Sequence, residues 1–211
     1  MLFTEHSVLS AVIQRNGRRI FVLHDGDRLT PAARDLLRRE GICITEKKPE
    51  HMTHLSGDTL VEKNHPRIVF RGKLDSLQAE ILLLQKESGA PVAALEDMLT
   101  LLRALMRAEV LGEAVPPILI GAMDEKELHE RSHQPQKYYG IGHFLPSQKD
   151  DWILLKLNRL RTMVREAELC CYSAFVQKNG KLSRTDILTA LNRLSSACWV
   201  LCLARKGGSN G

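Results

Sequence analysis

Ile153, Leu157, Leu160, Val164, Ala167, Cys171 and Ala174 succeed one another in alternating steps of four and three, an apolar stripe held over seven positions. Only an α-helix brings such positions onto one face, and a face that long belongs in the core of a helical bundle. Partner helices are readable on the same grounds. Phe70, Leu74, Leu77, Ile81 and Leu84 share a face of a helix expected from Arg67 to near Gly89. Val92, Leu95, Leu99, Leu102 and Met106 line another that starts after Pro91 and is ended by Gly112 and Pro116. Ile187, Leu191, Leu194, Cys198 and Leu201 line a last helix, expected to be capped by Ser183 and stopped by Gly207 and Gly208. A shorter helix, DEKELHERSHQP, opens on an acidic first turn and halts before Pro135. With 5 Phe, 3 Tyr and 2 Trp among 211 residues, and abundant Leu, Ala, Arg and Glu, composition favours helices too.

The N-terminal stretch reads differently. RRIFVLHD (Arg18–Asp25) is a strand; LTPAARDLLRREG follows with a Thr30 cap, Pro31 at the first helical position and Gly41 as stop; ICIT (Ile42–Thr45) is a second strand. MTHLSGDTLVEKNHP, running to Pro66, is expected to be a loop with a possible short strand, and KYYGIGHFLPSQKD a glycine-bearing loop of the kind that carries function. The expectation is a mainly α chain: an antiparallel helical bundle of four long helices plus a short one over residues 47–211, with a small N-terminal α/β element over residues 1–46.

Charge is unevenly spread. Of 30 Lys/Arg and 25 Asp/Glu, residues 151–211 hold 10 and 4, so the basic excess sits in the last 61 residues and suits a polyanionic partner or a solvated basic surface. The five cysteines lack zinc-site spacing and read as reduced core thiols. The first residues lack a basic segment followed by an apolar run, and the longest apolar run, Ala114–Met123, is too short and proline-rich to cross a bilayer. A cytoplasmic protein without a transmembrane segment is expected.

Among motifs, His129-Glu130-Arg131-Ser132-His133 matches H-E-x-x-H, which could hold zinc. Pro135 puts His133 at a helix end, however, and no glycine–histidine extension follows, so the pair is expected to cap and pack that end. No phosphate loop and no dinucleotide fingerprint occurs, so a nucleotide site would have to be built from helices. Arg161, Arg165 and Glu168 stand at i, i+4 and i+7 beside the apolar stripe, either as a salt-bridge ladder or as a charged site. Asn192 interrupts the last apolar run, and Asp75 lies beside the Leu74–Leu77 stripe, where an acid calls for a cationic partner.

Taken together these positions resemble the ATP:corrinoid adenosyltransferases, most closely the ethanolamine-utilisation type. LVEKNHPRIVFRGKLDSLQAEI is similar to the family's lysine–x–x–proline–arginine start and glycine–x–x–aspartate–x–leucine helix, through Lys63, Pro66, Arg67, Gly72, Asp75 and Leu77. RTMVREAE (Arg161–Glu168) resembles its arginine–x–x–x–arginine–x–alanine–glutamate signature and LNRLSS (Leu191–Ser196) its last-helix motif; TPAARDLL, THLSGD and LHERSHQP resemble the ethanolamine branch. Two departures stand out. The His and Cys-Cys-x-x-Cys metal motif of some ethanolamine-type members is missing, since EKKPEHMTHL has no cysteine, and Gln78 stands where the wider family usually has Asn.

The resemblance implies an alkyl-group transferase in which a cobalt(I) corrinoid attacks the 5′ carbon of ATP and displaces triphosphate. It assigns the triphosphate to Arg161 and Arg165, a cover over the phosphates to Thr53, His54, Ser56, Gly57 and Lys63, and orientation of the nucleoside to Glu168 and Asn192. Phe144 is the apolar residue expected beneath the corrin ring, and Asp75 is expected to reach Arg161 of a neighbouring subunit in a homotrimer. Mg²⁺ would ride on ATP, with no protein-bound structural metal. A flavoprotein or flavin that reduces cob(II)alamin, and a bacterial microcompartment, are the implied partners; nucleic acid is not. The other classes are a non-catalytic adenosylcobalamin carrier, a microcompartment docking protein using residues 1–46, and a zinc hydrolase through His129 and His133.

Overall fold

The computed structural model describes residues 1–15, 18–46, 50–56 and 59–208. The chain divides into two compact units, one of Met1–His54 with Leu60–Glu62 and one of Leu55–Thr59 with Lys63–Gly211.

In the first unit β1 (Leu2–Phe3), β2 (Val12–Arg15) and β3 (Arg18–Leu23) precede β4 (Arg28–Leu29), which pairs parallel with β1. Helix α1 (Pro31–Arg39) then crosses over to β5 (Cys43–Glu46), and the sheet order β2-β3-β5 has β3 and β5 parallel. The crossover starts as its residues require: Thr30 Oγ1 accepts from the Ala33 N–H at 3.2 Å and Pro31 occupies the first turn, where no amide donor is needed. Val8, Phe21, Ala33, Leu37 and Ile42 form its core, and Phe3 meets Phe21 edge-on at 5.0 Å. Where a loop with a short strand is expected, two strands form, β6 (Met52–Ser56) paired with β7 (Thr59–Glu62). Thr53, Thr59 and Val61 around Gly57-Asp58 carry a hairpin pattern that a search for helical periodicity passes over.

The second unit is the bundle. Helices α2 (Pro66–Gln85) and α3 (Val92–Leu111) are followed by a two-residue hairpin of β8 (Leu119–Ile120) and β9 (Met123–Asp124). Then come α4 (Glu125–His133), α5 (Pro135–Tyr139), α6 (Trp152–Phe175) and α7 (Thr185–Gly208). Helix α6 packs on α2 and α7, and α3 closes the bundle on both. All five stripe residues of α2 are buried, and on α6 the stripe from Ile153 to Cys171 is buried while Ala174 is half-buried. Helix α7 has the length and mean hydropathy, 1.5, of a membrane span, and its buried residues from Ile187 to Leu203, Val200 apart, belong to the bundle core.

Several expectations are corrected. Helix α2 ends at Gln85 rather than near Gly89, which sits past the helix with φ +75°. On α3, Val92 is exposed and Met106 half-buried, while Met98 and Leu105 are fully buried, because the helix faces α2 and α7 at once and so buries more than one row. Ser183 does not cap α7: its hydroxyl donates to the Phe175 carbonyl at 3.0 Å and so closes the turn from α6. Lys137–Tyr139 belong to α5, because Pro135, which ends α4, is well suited to start the next helix; the loop begins at Gly140, φ +67°.

The carboxylate of Glu109 on α3 is wholly buried and accepts from Arg67 Nε at 2.5 Å and from Arg71 Nε. Arg67 also donates to the Glu109 carbonyl and Arg71 to the Leu55 carbonyl, each at 2.8 Å. The five cysteines are free thiols: Cys171, Cys198 and Cys202 are buried, Cys170 is half-buried and Cys43 is exposed. Burial pushes the Cys171 and Cys202 thiols up to about 12 and raises Cys198 as well. A thiolate reagent is therefore expected to modify Cys43 first in the native protein and the three buried thiols only on unfolding; fast native labelling of Cys198 would contradict this burial.

Candidate functional site

Helical spacing assembles the site. Arg161, Arg165 and Glu168 project from one face of α6, stepping by four and three, and Asn192, Ser195 and Ser196, and Trp199 from one face of α7, where either serine lies three or four residues from Asn192 and from Trp199. Together with His129, Ser132 and His133 of α4 and residues 143–146 of the loop before α6, they line a cavity of about 620 Å³.

One wall is aromatic. Phe144 stacks on Trp199 with ring centroids 4.9 Å apart and His143 lies nearly parallel to the same indole at 6.2 Å, while Leu145 is 92% exposed at the rim. The loop is tied down by charge: Lys206 Nζ pairs with Asp150 and sits 5.6 Å from the Phe144 ring centre, and Arg205 Nε pairs with Asp151 at 2.6 Å. The Lys206 ammonium, helped by the Ser147 N–H, holds the Asp150 carboxyl below the usual carboxylate range.

The cavity is also cationic. The Arg161 guanidinium lies over the Trp199 indole at 5.0 Å. Glu168 accepts from Asn192 Nδ2 at 3.2 Å instead of pairing with Arg165, which removes the salt-bridge ladder as an account of this face. Among the described residues neither Arg161 nor Arg165 has a carboxylate partner, so two guanidiniums one turn apart are left for an anion.

On α4 the two histidine rings are in contact, centroids 4.2 Å apart and planes tilted by 37°. Gln134 leaves the helical conformation (φ −120°, ψ 55°), so His133 does close the helix, as Pro135 requires. Both rings also line the cavity. Among the described residues no group of three or more His, Cys, Asp or Glu could hold a metal ion.

Of the residues singled out from sequence, Phe144, Arg161, Arg165, Glu168 and Asn192 come together around this cavity. Ser56, Lys63 and Asp75, all exposed, belong to the same unit but do not line it; Thr53 and His54 belong to the first unit, and Gly57 lies outside the described residues. Sequence reasoning missed Trp199 and His143. Trp199 was findable, seven residues past Asn192 on the same helical face, whereas only the return of the loop brings His143 to it.

The family model for cobalamin adenosyltransferases matches residues 43–205. Over 158 residues, 74% of its length, the chain is 39% identical to the corrinoid adenosyltransferase EutT of Escherichia coli (strain K12) and equally to that of Salmonella typhimurium (strain LT2). It spans 59% of the length of these curated relatives. In structure it is similar to two variants of a PduO-type ATP:corrinoid adenosyltransferase from Lactobacillus reuteri, both complexed with cobalamin and ATP. They superpose with a TM-score of 0.58 at 18% and 19% identity, over 76% of this chain and 91% and 89% of those chains.

Proposed function

The chain belongs to the cobalamin adenosyltransferase family, and on that footing we propose that it transfers the 5′-deoxyadenosyl group of ATP to cob(I)alamin, forming adenosylcobalamin and releasing triphosphate. The observation that carries the reading is a single cavity lined both by Arg161 and Arg165, which have no carboxylate partner among the described residues, and by the aromatic rings of Trp199 and Phe144. A polyphosphate needs the guanidiniums and a flat macrocycle suits the rings.

Chemically the carbon–cobalt bond forms as the bond from C5′ to the triphosphate oxygen breaks. The corrinoid itself supplies the electron pair, so no side-chain nucleophile or base is required. The protein's share is positioning and charge. Arg161 and Arg165 hold and neutralise the leaving triphosphate; Glu168 and Asn192, already hydrogen-bonded to each other, orient the nucleoside. Ser56, Gly57 and Lys63 cover the phosphates. Mg²⁺ travels with ATP: among the described residues the cavity offers a single carboxylate, Glu168, already engaged by Asn192. Phe144 lies beneath the corrin ring and excludes the lower ligand of cobalt(II), which a flavoprotein or flavin then reduces. Asp75, exposed on α2, reaches Arg161 of a neighbouring subunit in a homotrimer. The setting is the cytoplasm, in or on a microcompartment serving ethanolamine use.

Reduced cobalamin mixed with ATP and enzyme is expected to form the cobalt–carbon bond, read by absorbance, with one triphosphate released per bond. Binding of adenosylcobalamin without bond formation would instead identify a carrier. Phe144→Ala is expected to slow turnover from cob(II)alamin by about tenfold or more, while supplied cob(I)alamin reacts within about twofold of wild type. Unchanged turnover from cob(II)alamin would take Phe144 out of this role.

A further inference from the structure

Resting on the corrinoid reading above, we infer that His129 and His133 form a fixed donor–acceptor pair that recognises one primary carboxamide on the rim of the corrinoid. The hydrogen-bond partners of the two rings set opposite tautomers. Arg193 Nη1 lies 2.9 Å from His129 Nδ1, and a guanidinium can only donate, so Nδ1 of His129 carries the lone pair and Nε2 the proton. His133 Nδ1 lies 2.8 Å from the His129 carbonyl, which can only accept, so there Nδ1 carries the proton and Nε2 of the neutral ring the lone pair. Ser132, whose hydroxyl donates to that same carbonyl at 2.9 Å, presents its oxygen 3.1 Å from His133 Nδ1 and supports the assignment.

The arrangement is built rather than incidental. Arg193 is 15% exposed, and its Nε, buried without a hydrogen bond, stands 3.6 Å from Glu125, which holds the guanidinium against His129. Both rings line the cavity, with centroids 4.2 Å apart and planes tilted by 37°, so the donor ring and the acceptor ring are neighbours there. A phosphate or carboxylate needs donors at both positions and meets a lone pair at one. A primary carboxamide, with one carbonyl and one NH₂, matches both. Corrinoids carry such amides around the ring, and hydrolysing one replaces its donor by an anionic oxygen. The H-E-x-x-H pattern thus acts here in substrate selection, with Arg193 as a positioning residue.

The test is equilibrium binding of cyanocobalamin and of its peripheral monocarboxylic acids, each lacking one amide, to the full chain and to His133→Lys. One acid is expected to bind wild type at least about tenfold more weakly than the intact corrinoid. In His133→Lys, which puts a donor where the acceptor stood, that same acid is expected to bind as tightly as the amide or more tightly. His133→Gln, which keeps an acceptor and guards against misfolding of the lysine variant, should retain the preference for the amide. Equal binding of all the acids by wild type, or unaltered discrimination in His133→Lys, overturns the pair while leaving adenosyl transfer standing. Failure to bind any corrinoid overturns the functional reading and this inference together.

Discussion

Glu109→Ala is expected to lower the free energy of unfolding by about 3 to 5 kcal/mol, because it leaves two partly buried guanidiniums without their counter-charge. The Glu109 side chain is wholly inaccessible, and those of Arg67 and Arg71 are only 27% and 16% exposed. Arg67 also lies 5.7 Å over the Phe175 ring, so water cannot readily take the place of the lost carboxylate. The pair joins the start of α2 to the end of α3, and the loss should appear as a lower urea midpoint with an unchanged slope. Glu109→Gln keeps the acceptor and should cost less. Replacing Glu109, Arg67 and Arg71 together by apolar residues of similar volume should recover most of the loss, since the triad's own desolvation cost then vanishes. An alanine variant within about 1 kcal/mol of wild type would show that solvent already screens the site.

The second large effect concerns the two arginines of the cavity, which are not equivalent. Arg165→Ala removes a charge-assisted contact to the triphosphate worth about 1.5 to 3 kcal/mol, a loss of roughly 10- to 150-fold in kcat/KM for ATP in an intact oligomer. Arg161→Ala removes a similar contact and also the cation held over Trp199. In the proposed trimer it leaves the neighbour's Asp75 without its partner. Sedimentation should therefore show a weaker oligomer for Arg161→Ala and for Asp75→Ala but not for Arg165→Ala. Equal oligomer stability in all three would sink the bridge and leave Arg161 to the phosphates alone.

How far the site was legible depends on where each residue's neighbours lie along the chain. Arg161, Arg165 and Glu168 share one helix, and a period of 3.6 residues puts them on one face whatever surrounds it. The choice between ladder and anion site was not available there. It turns on Asn192, which takes Glu168 away from Arg165 across 24 positions of sequence. The H-E-x-x-H pattern shows the same limit. Spacing alone made its histidines candidate zinc ligands, yet Arg193 from α7 and the carbonyl of His129 itself occupy the nitrogens that decide their chemistry.

Taken alone, the sequence determined the four long helices, the apolar faces of α2, α6 and α7, the Thr30 start of α1, and the end of α4 before Pro135. These are properties of neighbouring residues, governed by backbone geometry, capping and the cost of leaving an apolar stripe in water. Only the tertiary structure decided that Glu109 would be buried between two arginines, that the loop before α6 would lay Phe144 and His143 on Trp199, and that no carboxylate among the described residues of the same chain would pair with Arg161. Those outcomes depend on which charges and rings meet across the bundle, and such meetings are set by the packing of whole helices, which no local pattern encodes.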